Sequence, residues 1–166
     1  MIYTYMDSPI GRLLLAAEEG SLKHIRFSTG RKARGADPDW ERRDEPFRET
    51  RLQLRAYFAG QRHHFSLSLA PDVTPFQHRV LAALQEIPYG QTRSYRDIAT
   101  AVGNPRAVRA VGGANGSNPL PIVIPCHRVI GSGGALTGFG GGLETKRFLL
   151  DLERRHSGLF SASGAA

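Results

Sequence analysis

The residue best suited to covalent chemistry in this 166-residue chain is Cys126, its single cysteine. A thiol has an ordinary pKa of about 8.5, and a neighbouring cation lowers that value and so favours the nucleophilic thiolate. His127 and Arg128 follow directly and are candidates to supply that positive field. We therefore predict that Cys126 is a nucleophile, the alternative being that it is a small buried hydrophobic residue.

A histidine that acts as a base needs a hydrogen-bond partner on its second ring nitrogen. The last helix is predicted from about Leu143 to Arg155, and Glu153 falls at the border of its apolar face. Glu153 is therefore the candidate partner of His127, the alternative being that it pairs with a surface arginine. Adjacent side chains of a strand point to opposite faces, so His127 can serve Cys126 only through a chain bend or a bridging water.

The segment that carries the cysteine, residues 119–129, contains three prolines. Proline fixes φ and lacks a backbone donor, which excludes a fully paired central strand. We predict a stiff extended rod that delivers Cys126 to a fixed place.

The charge balance favours an acidic partner. Lysine and arginine number 22 against 15 acidic residues, which gives a net charge of +7. Between Pro88 and Gly131 the charged residues are five arginines and one aspartate. Arginine suits phosphate and base contacts, so this region is the candidate nucleic-acid surface.

Two short helices are predicted within this basic region, in the pattern of a helix-turn-helix. The first starts at the capping box 94–97, with Ile98, Ala101 and Val102 inward, and the second is capped by Asn104-Pro105. In the second helix Val108 and Val111 are expected to face the core. A different, slim face is formed by Arg106, Arg109, Ala110 and Gly113. This face would let a duplex approach closely; the alternative is a solvated helix that ends at Gly112.

The first third of the chain predicts a small α/β region. Alternating apolar residues predict a three-stranded meander and, later, a half-buried strand. The predicted strands are Ile2–Met6, Arg12–Ala17, Leu22–Phe27 and His64–Leu69. Residues 28–45 are dense in charge and are expected to be exposed and of low order. A helix follows, with a stripe of Phe47, Leu54, Tyr57 and Phe58 and a stop at Gly60.

Residues 70–73 are predicted to be a linker into the second part of the chain. Thr74-Pro75-Phe76-Gln77 then combines a capping residue, a first-turn proline and a capping-box glutamine, which predicts a helix start. Phe76, Val80, Leu84 and Ile87 are expected to line one face of this helix.

The motif Ile124-Pro125-Cys126-His127-Arg128-Val129 is preceded by the run 109–115 and by Asn118-Pro119. Together they strongly resemble the O6-alkylguanine-DNA alkyltransferases, in detail from about Phe76 to Glu153 and more loosely before. The resemblance implies an α/β (α+β) fold. Its expected parts are a ribonuclease-H-like α/β region over 1–70 and a helical, winged-helix-like region with the helix-turn-helix over 71–160. Separately, the run of small residues over 161–166 predicts a disordered tail.

The resemblance also implies roles for individual residues. Cys126 would take an alkyl group from a flipped-out O6-alkylguanine, or O4-alkylthymine, in one irreversible transfer, and Arg109 would fill the space of the flipped nucleotide. The implied catalytic residues are Cys126, His127, Glu153, Tyr95 and Asn118. The implied DNA-binding residues are Arg109, Arg106, Ala110, Gly113 and Arg128. The implied substrate pocket contains Tyr95, Val129, Phe139 and Gly140.

Double-stranded DNA with alkylated bases is the implied partner, with no cofactor and no metal. The single cysteine favours a reducing compartment, and the start of the chain lacks a basic stretch followed by an apolar one, so we expect a cytoplasmic protein without a membrane segment. We also expect a monomer. Two other classes stay open. A Cys-His hydrolase would need an oxyanion hole and would turn over. A helix-turn-helix DNA-binding protein would carry an incidental cysteine.

Overall fold

A four-stranded sheet begins the chain in the computed structural model, which describes residues 1–157. Its strands are β1 (Ile2–Met6), β2 (Leu13–Glu18), β3 (Ser21–Phe27) and β4 (Glu41–Arg42). The first three form the predicted antiparallel meander, and β4 pairs in parallel with β1. Glu19 and Gly20, between β2 and β3, both have positive φ, which matches the twist of a tight hairpin.

The first helix, α1 (Arg48–Phe58), follows the sheet and ends before Gly60, whose φ is 75°. Its Leu54 and Tyr57 are fully buried and belong to the same core as Leu13 and Ile25 of the sheet. The predicted stripe is therefore confirmed, and it fixes the tyrosine hydroxyl inside the protein.

Two predictions for the first region need correction. Residues 28–45 are not simply of low order, because they include β4 and because Asp37 binds both Arg26 and Arg34. The strand predicted for residues 64–69 does not form, although its side chains do alternate in burial. Among residues 1–157, only Leu22 pairs with this segment through backbone–backbone hydrogen bonds, and a strand needs a longer ladder of partners.

The second region is helical. Its elements are α2 (Pro75–Gln85), α3 (Tyr95–Ala101), α4 (Val108–Gly116), α5 (Leu143–Arg155) and a parallel pair of two-residue strands, β5 (Arg93–Ser94) and β6 (Val129–Ile130). Both predicted capping boxes are present, at Thr74 and at Ser94. This arrangement of sheet region and helical region confirms the predicted mixed α/β fold class.

The helix-turn-helix differs from its prediction in detail. The Asn104 side chain accepts a hydrogen bond from the Arg106 backbone N–H at 3.3 Å and stabilises a turn, so α4 begins only at Val108. Val108 is 36 % exposed, whereas Val111 is fully buried as predicted. In α3 the buried alanine is Ala99, and 101 is exposed.

The helix α4 continues through the glycine pair 112–113 to Gly116, so the alternative in which it ends at Gly112 is wrong. One buried cluster joins the two regions of the chain. Within residues 1–157, no helix is long and apolar enough to cross a membrane. The tail predicted over 161–166 lies outside the described residues.

Candidate active site

Two tight turns, not a rod, carry Cys126 into the interior. Ile122 has a φ of 75°, and the residues on either side of it are joined by a backbone hydrogen bond of 2.9 Å, as in a γ-turn. A second such bond, of 2.8 Å, runs from the Cys126 N–H to the Ile124 carbonyl around Pro125. The rod prediction fails because the prolines fix φ only at separate points, and Ile122 reverses the chain between them.

A one-turn 3-10 helix, Cys126–Arg128, follows these turns. Asn118 holds the segment from two sides. Its side-chain nitrogen donates to the Ile124 carbonyl at 2.8 Å, and its oxygen accepts the Leu120 N–H at 3.0 Å. The chain thus bends at the cysteine, which is the condition under which the next residue can act on the thiol.

Glu153, on α5, is 1 % exposed, and its carboxylate accepts most of the hydrogen bonds of the buried site. Its oxygen Oε2 lies 2.6 Å from His127 Nε2 and 2.6 Å from the Tyr57 hydroxyl. Arg128 reaches both carboxylate oxygens, through Nε at 2.8 Å and Nη2 at 3.0 Å, and the Gly90 N–H donates to Oε1 at 3.1 Å. Glu153 therefore pairs with His127 and with a buried arginine, and the alternative of a surface arginine is wrong.

The charge states in this cluster follow from its hydrogen bonds. Burial alone would raise the pKa of Glu153, but the hydrogen bonds from His127 and Arg128 and the Arg128 charge outweigh it and hold that pKa far below its ordinary value. An ionised carboxylate only accepts, so His127 must carry its proton on Nε2. Burial lowers the pKa of His127, although Glu153 opposes the shift. His127 is therefore neutral at neutral pH and has a basic lone pair on Nδ1.

Cys126 itself is 5 % exposed. Burial raises the pKa of its thiol, and the Asn118 hydrogen bond together with the Lys146 and Lys32 charges offsets only part of that rise. The expected lowering by His127 and Arg128 is therefore wrong for the resting protein. Glu153 balances the arginine, and the histidine is neutral. Formation of a thiolate at Cys126 would therefore require a base.

A cavity of about 440 Å³ opens onto Cys126 between the two regions of the chain. Its lining includes Phe27 and Lys32 from the first region and Asn118, Pro121, Phe139 and Gly140 from the second. Lys32 also donates through Nζ to the carbonyl of Gly116, the last residue of α4.

Tyr95 and Val129, also predicted for the pocket, do not line this cavity. The Tyr95 hydroxyl accepts a hydrogen bond from Thr137 at 2.9 Å, beside the glycine-rich loop 138–142. Val129 is fully buried, and its carbonyl accepts a hydrogen bond from Lys146 Nζ at 2.6 Å. Lys146 also donates to the Thr137 carbonyl at 2.9 Å, so it ties this loop to the cysteine segment.

Sequence reasoning missed Tyr57, Lys146 and the role of Arg128. Lys146 precedes Leu149 by three residues, so it lies on the core face of α5, and a lysine in an apolar stripe was the available signal. Tyr57 was visible only as a core residue. Its polar function depends on a contact across 96 positions of sequence, which no local pattern reports.

The predicted DNA-facing residues separate into two groups. Arg109, Ala110 and Gly113 are exposed on α4, and Arg106 is exposed in the turn before it. Apart from the adjacent backbone of α4, a Cβ atom built on Gly113 meets no heavy atom of residues 1–157 within 4 Å. Arg128 is 6 % exposed and bound to Glu153, so its predicted contact with DNA is wrong.

The fold and the site together define a protein of two regions, one built around a sheet and one helical. The helical region contains a helix-turn-helix and a cysteine whose neighbour, His127, forms a buried pair with Glu153. Residues 1–71 match the family model of the 6-O-methylguanine DNA methyltransferase ribonuclease-like domain, and residues 75–155 match that of the DNA binding domain. The chain therefore belongs to the 6-O-methylguanine DNA methyltransferase family.

Individual relatives agree over nearly the whole chain. It is 53 % identical to a methylated-DNA–protein-cysteine methyltransferase of Methanosarcina barkeri, over 94 % of this chain and 99 % of that protein. The constitutive enzyme of that name from Bacillus subtilis is 47 % identical over 92 % and 94 % of the two chains. The crystal structure of Mycobacterium tuberculosis OGT in complex with DNA matches with a TM-score of 0.89 at 46 % identity, over 95 % of both chains.

Proposed function

We propose that this chain is a methylated-DNA–protein-cysteine methyltransferase that repairs DNA by direct reversal. In one displacement, the sulfur of Cys126 forms a bond to the alkyl carbon while the bond from that carbon to guanine O6 breaks. The thiol proton passes to His127 Nδ1, directly or through water. The guanine leaves as an anion, and Tyr95 assists its departure by hydrogen bonding.

The observation that carries this proposal is that Cys126 lines a cavity and is followed directly by His127, which is paired with the buried Glu153. His127 Nδ1 is buried and has no hydrogen-bond partner among residues 1–157, so its lone pair is available to take a proton. The raised pKa of the thiol makes that base necessary, because burial keeps the free thiol protonated.

The burial of Cys126 also supports double-stranded DNA as the partner. The alkylated oxygen lies within the base pair and Cys126 is almost fully buried, so the base must leave the stack to react. We place α4 in the minor groove, with Arg109 in the space of the flipped nucleotide and Phe139 and Gly140 around the alkyl group. We further propose a monomer that works in the cytoplasm, where a single thiol stays reduced, with its functional regions divided near residue 70.

The thioether that forms has no leaving group ready for water, so the protein acts once. Incubation with excess O6-methylguanine duplex is expected to add one methyl group to the peptide that holds Cys126. Repaired guanine should stop at one equivalent. More than one equivalent would favour the hydrolase class and contradict the proposal.

The variant Cys126→Ser separates transfer from binding. It is expected to bind the modified duplex as tightly as the parent chain and to acquire no methyl group. A helix-turn-helix protein with an incidental cysteine would transfer nothing even in the parent chain.

A further inference from the structure

We propose that Tyr57 is a positioning residue for alkyl transfer. Its hydroxyl holds the Glu153 carboxylate so that His127 stays neutral and keeps its lone pair available for the Cys126 proton. The inference relies on the proposed function for the step that is positioned, and it gives the first region of the chain a task in that step.

The geometry comes first. Tyr57 lies on α1 and is fully buried, and its hydroxyl oxygen is 2.6 Å from Glu153 Oε2. His127 Nε2 reaches the same oxygen at the same distance. Because an ionised carboxylate only accepts, Tyr57 and His127 both donate to Oε2 and share its negative charge. Burial, followed by the Glu153 charge, raises the pKa of Tyr57, so its hydroxyl keeps the proton that it donates.

The other charged groups around the His127–Glu153 pair affect it in different ways. Arg128 contacts both carboxylate oxygens and balances their charge. Two further groups can act on the pair at longer range through their charge, namely Lys146 from α5 and His63. Tyr89, from the loop after α2, adds no charge, because burial raises its pKa to about 12, and its hydroxyl makes no hydrogen bond to the pair among residues 1–157. Cys126, which precedes His127 in the same 3-10 helix, is neutral in the resting protein because burial raises its pKa. Tyr57 is thus the group that shares Oε2 with the histidine without adding charge.

Removing the Tyr57 hydroxyl has a definite electrostatic consequence. A hydrogen bond to a charged group stabilises it, so its loss concentrates negative charge on Oε2. That oxygen would then attract a protonated His127 more strongly and raise the pKa of the imidazole. A larger fraction of His127 would be protonated at a given pH, and a protonated imidazole cannot accept the thiol proton.

The variant Tyr57→Phe tests this and keeps the ring, which packs against Phe65 and Tyr89 at centroid distances of 5.5 and 6.2 Å. Tyr89→Phe is the matched control, since the Tyr89 hydroxyl is buried without a partner among residues 1–157. Single-turnover transfer from an O6-methylguanine duplex would be measured for each protein across pH. Thermal unfolding would confirm that each variant is folded.

In Tyr57→Phe we expect the acid limb of the rate profile to move up by about one pH unit, the equivalent of one charge-assisted hydrogen bond. The rate on that limb would fall by about tenfold and recover at higher pH. Tyr89→Phe should overlay the parent chain. A loss equal at all pH values, or no loss, would overturn the proposal.

A second readout does not depend on activity. The imidazole of His127, assigned by its absence in His127→Gln, would be titrated by NMR without DNA. The pKa of His127 should rise in Tyr57→Phe and remain unchanged in Tyr89→Phe. A His127 titration that is unchanged in both variants overturns the inference. Failure of the parent chain to accept a methyl group would instead contradict the proposed function, and the NMR titration would still decide what Tyr57 does to His127.

Discussion

Arg128 follows Cys126 by two positions, yet its guanidinium is buried against Glu153, with Nε 2.8 Å from Oε1 and Nη2 3.0 Å from Oε2. A third nitrogen, Nη1, donates to the Ile87 carbonyl at 2.8 Å. All three contacts lie inside the protein. The arginine of the cysteine motif therefore balances the buried Glu153 charge, and its own charge is not available to stabilise a thiolate at Cys126.

The first prediction concerns this arginine. Arg128→Met should lower the free energy of unfolding by about 3–5 kcal/mol, because it leaves the buried Glu153 charge without its counter-ion. Urea unfolding measures the loss. Arg106→Met, which removes an exposed arginine, should stay within about 0.5 kcal/mol of the parent chain. An Arg128→Met protein with normal stability and weakened DNA binding would contradict the buried assignment.

The second prediction is a pH dependence. The pKa of Glu153 is lower in the folded chain than its ordinary value of 4.5, so its ionised form stabilises the fold above that pH. Compared with Glu153→Gln, the parent chain should be more stable by about 3 kcal/mol at neutral pH. The difference in stability between the two proteins should narrow as the pH falls below 4.5. In that range Glu153 becomes protonated in the unfolded chain at a higher pH than in the folded chain. Urea unfolding at a series of pH values measures this difference, and a difference that does not change with pH would count against an ionised Glu153.

The third prediction concerns Lys146, whose Nζ ties the carbonyls of Val129 and Thr137 together. Lys146→Met should slow alkyl transfer by at least about tenfold, because the glycine-rich loop 138–142 is no longer held to the cysteine segment and the thiol loses a nearby cation. The pH dependence of iodoacetamide labelling at Cys126 should show a higher thiol pKa. Lys23→Met, which removes a lysine paired with Asp72, is the control and should change neither measurement.

The fourth prediction tests the slim face of α4. Gly113→Ala should raise the free energy of unfolding by up to about 1 kcal/mol, because alanine favours a helix and the added carbon meets no neighbour. The same methyl group should weaken binding to duplex DNA if this face enters a groove. Binding titrations measure the effect. A Gly113→Ala protein with improved stability and unchanged affinity for duplex DNA would indicate that DNA binds to another face of the protein.

The fifth prediction separates base flipping from general DNA binding. Arg109→Ala should reduce repair of O6-methylguanine more than it reduces affinity for an undamaged duplex, since the side chain is proposed to replace the flipped nucleotide. Arg106→Ala should affect both to the same degree, as expected of a phosphate contact. An Arg109→Ala protein that loses both equally would argue against the flipping role.

The local elements of this protein are determined by short stretches of its sequence. The capping boxes at Thr74 and Ser94 and the bounds of α5 match their predictions, because each depends on hydrogen bonds or side-chain spacing within a few residues. The meander also forms as predicted, because its antiparallel strands follow one another directly along the chain. The pairing of His127 with Glu153 was also predictable, since the carboxylate lies at the edge of an apolar helix face.

The direction of the thiol pKa, the burial of Arg128 and the parts played by Tyr57 and Lys146 were decided by the tertiary structure alone. Each depends on how much water is excluded and on which distant group supplies the partner. Neighbouring residues in a sequence can suggest a cation beside a thiol. Only the folded chain shows that Glu153 already binds that cation. This is why we propose that Cys126 gives its proton to the imidazole of His127 instead.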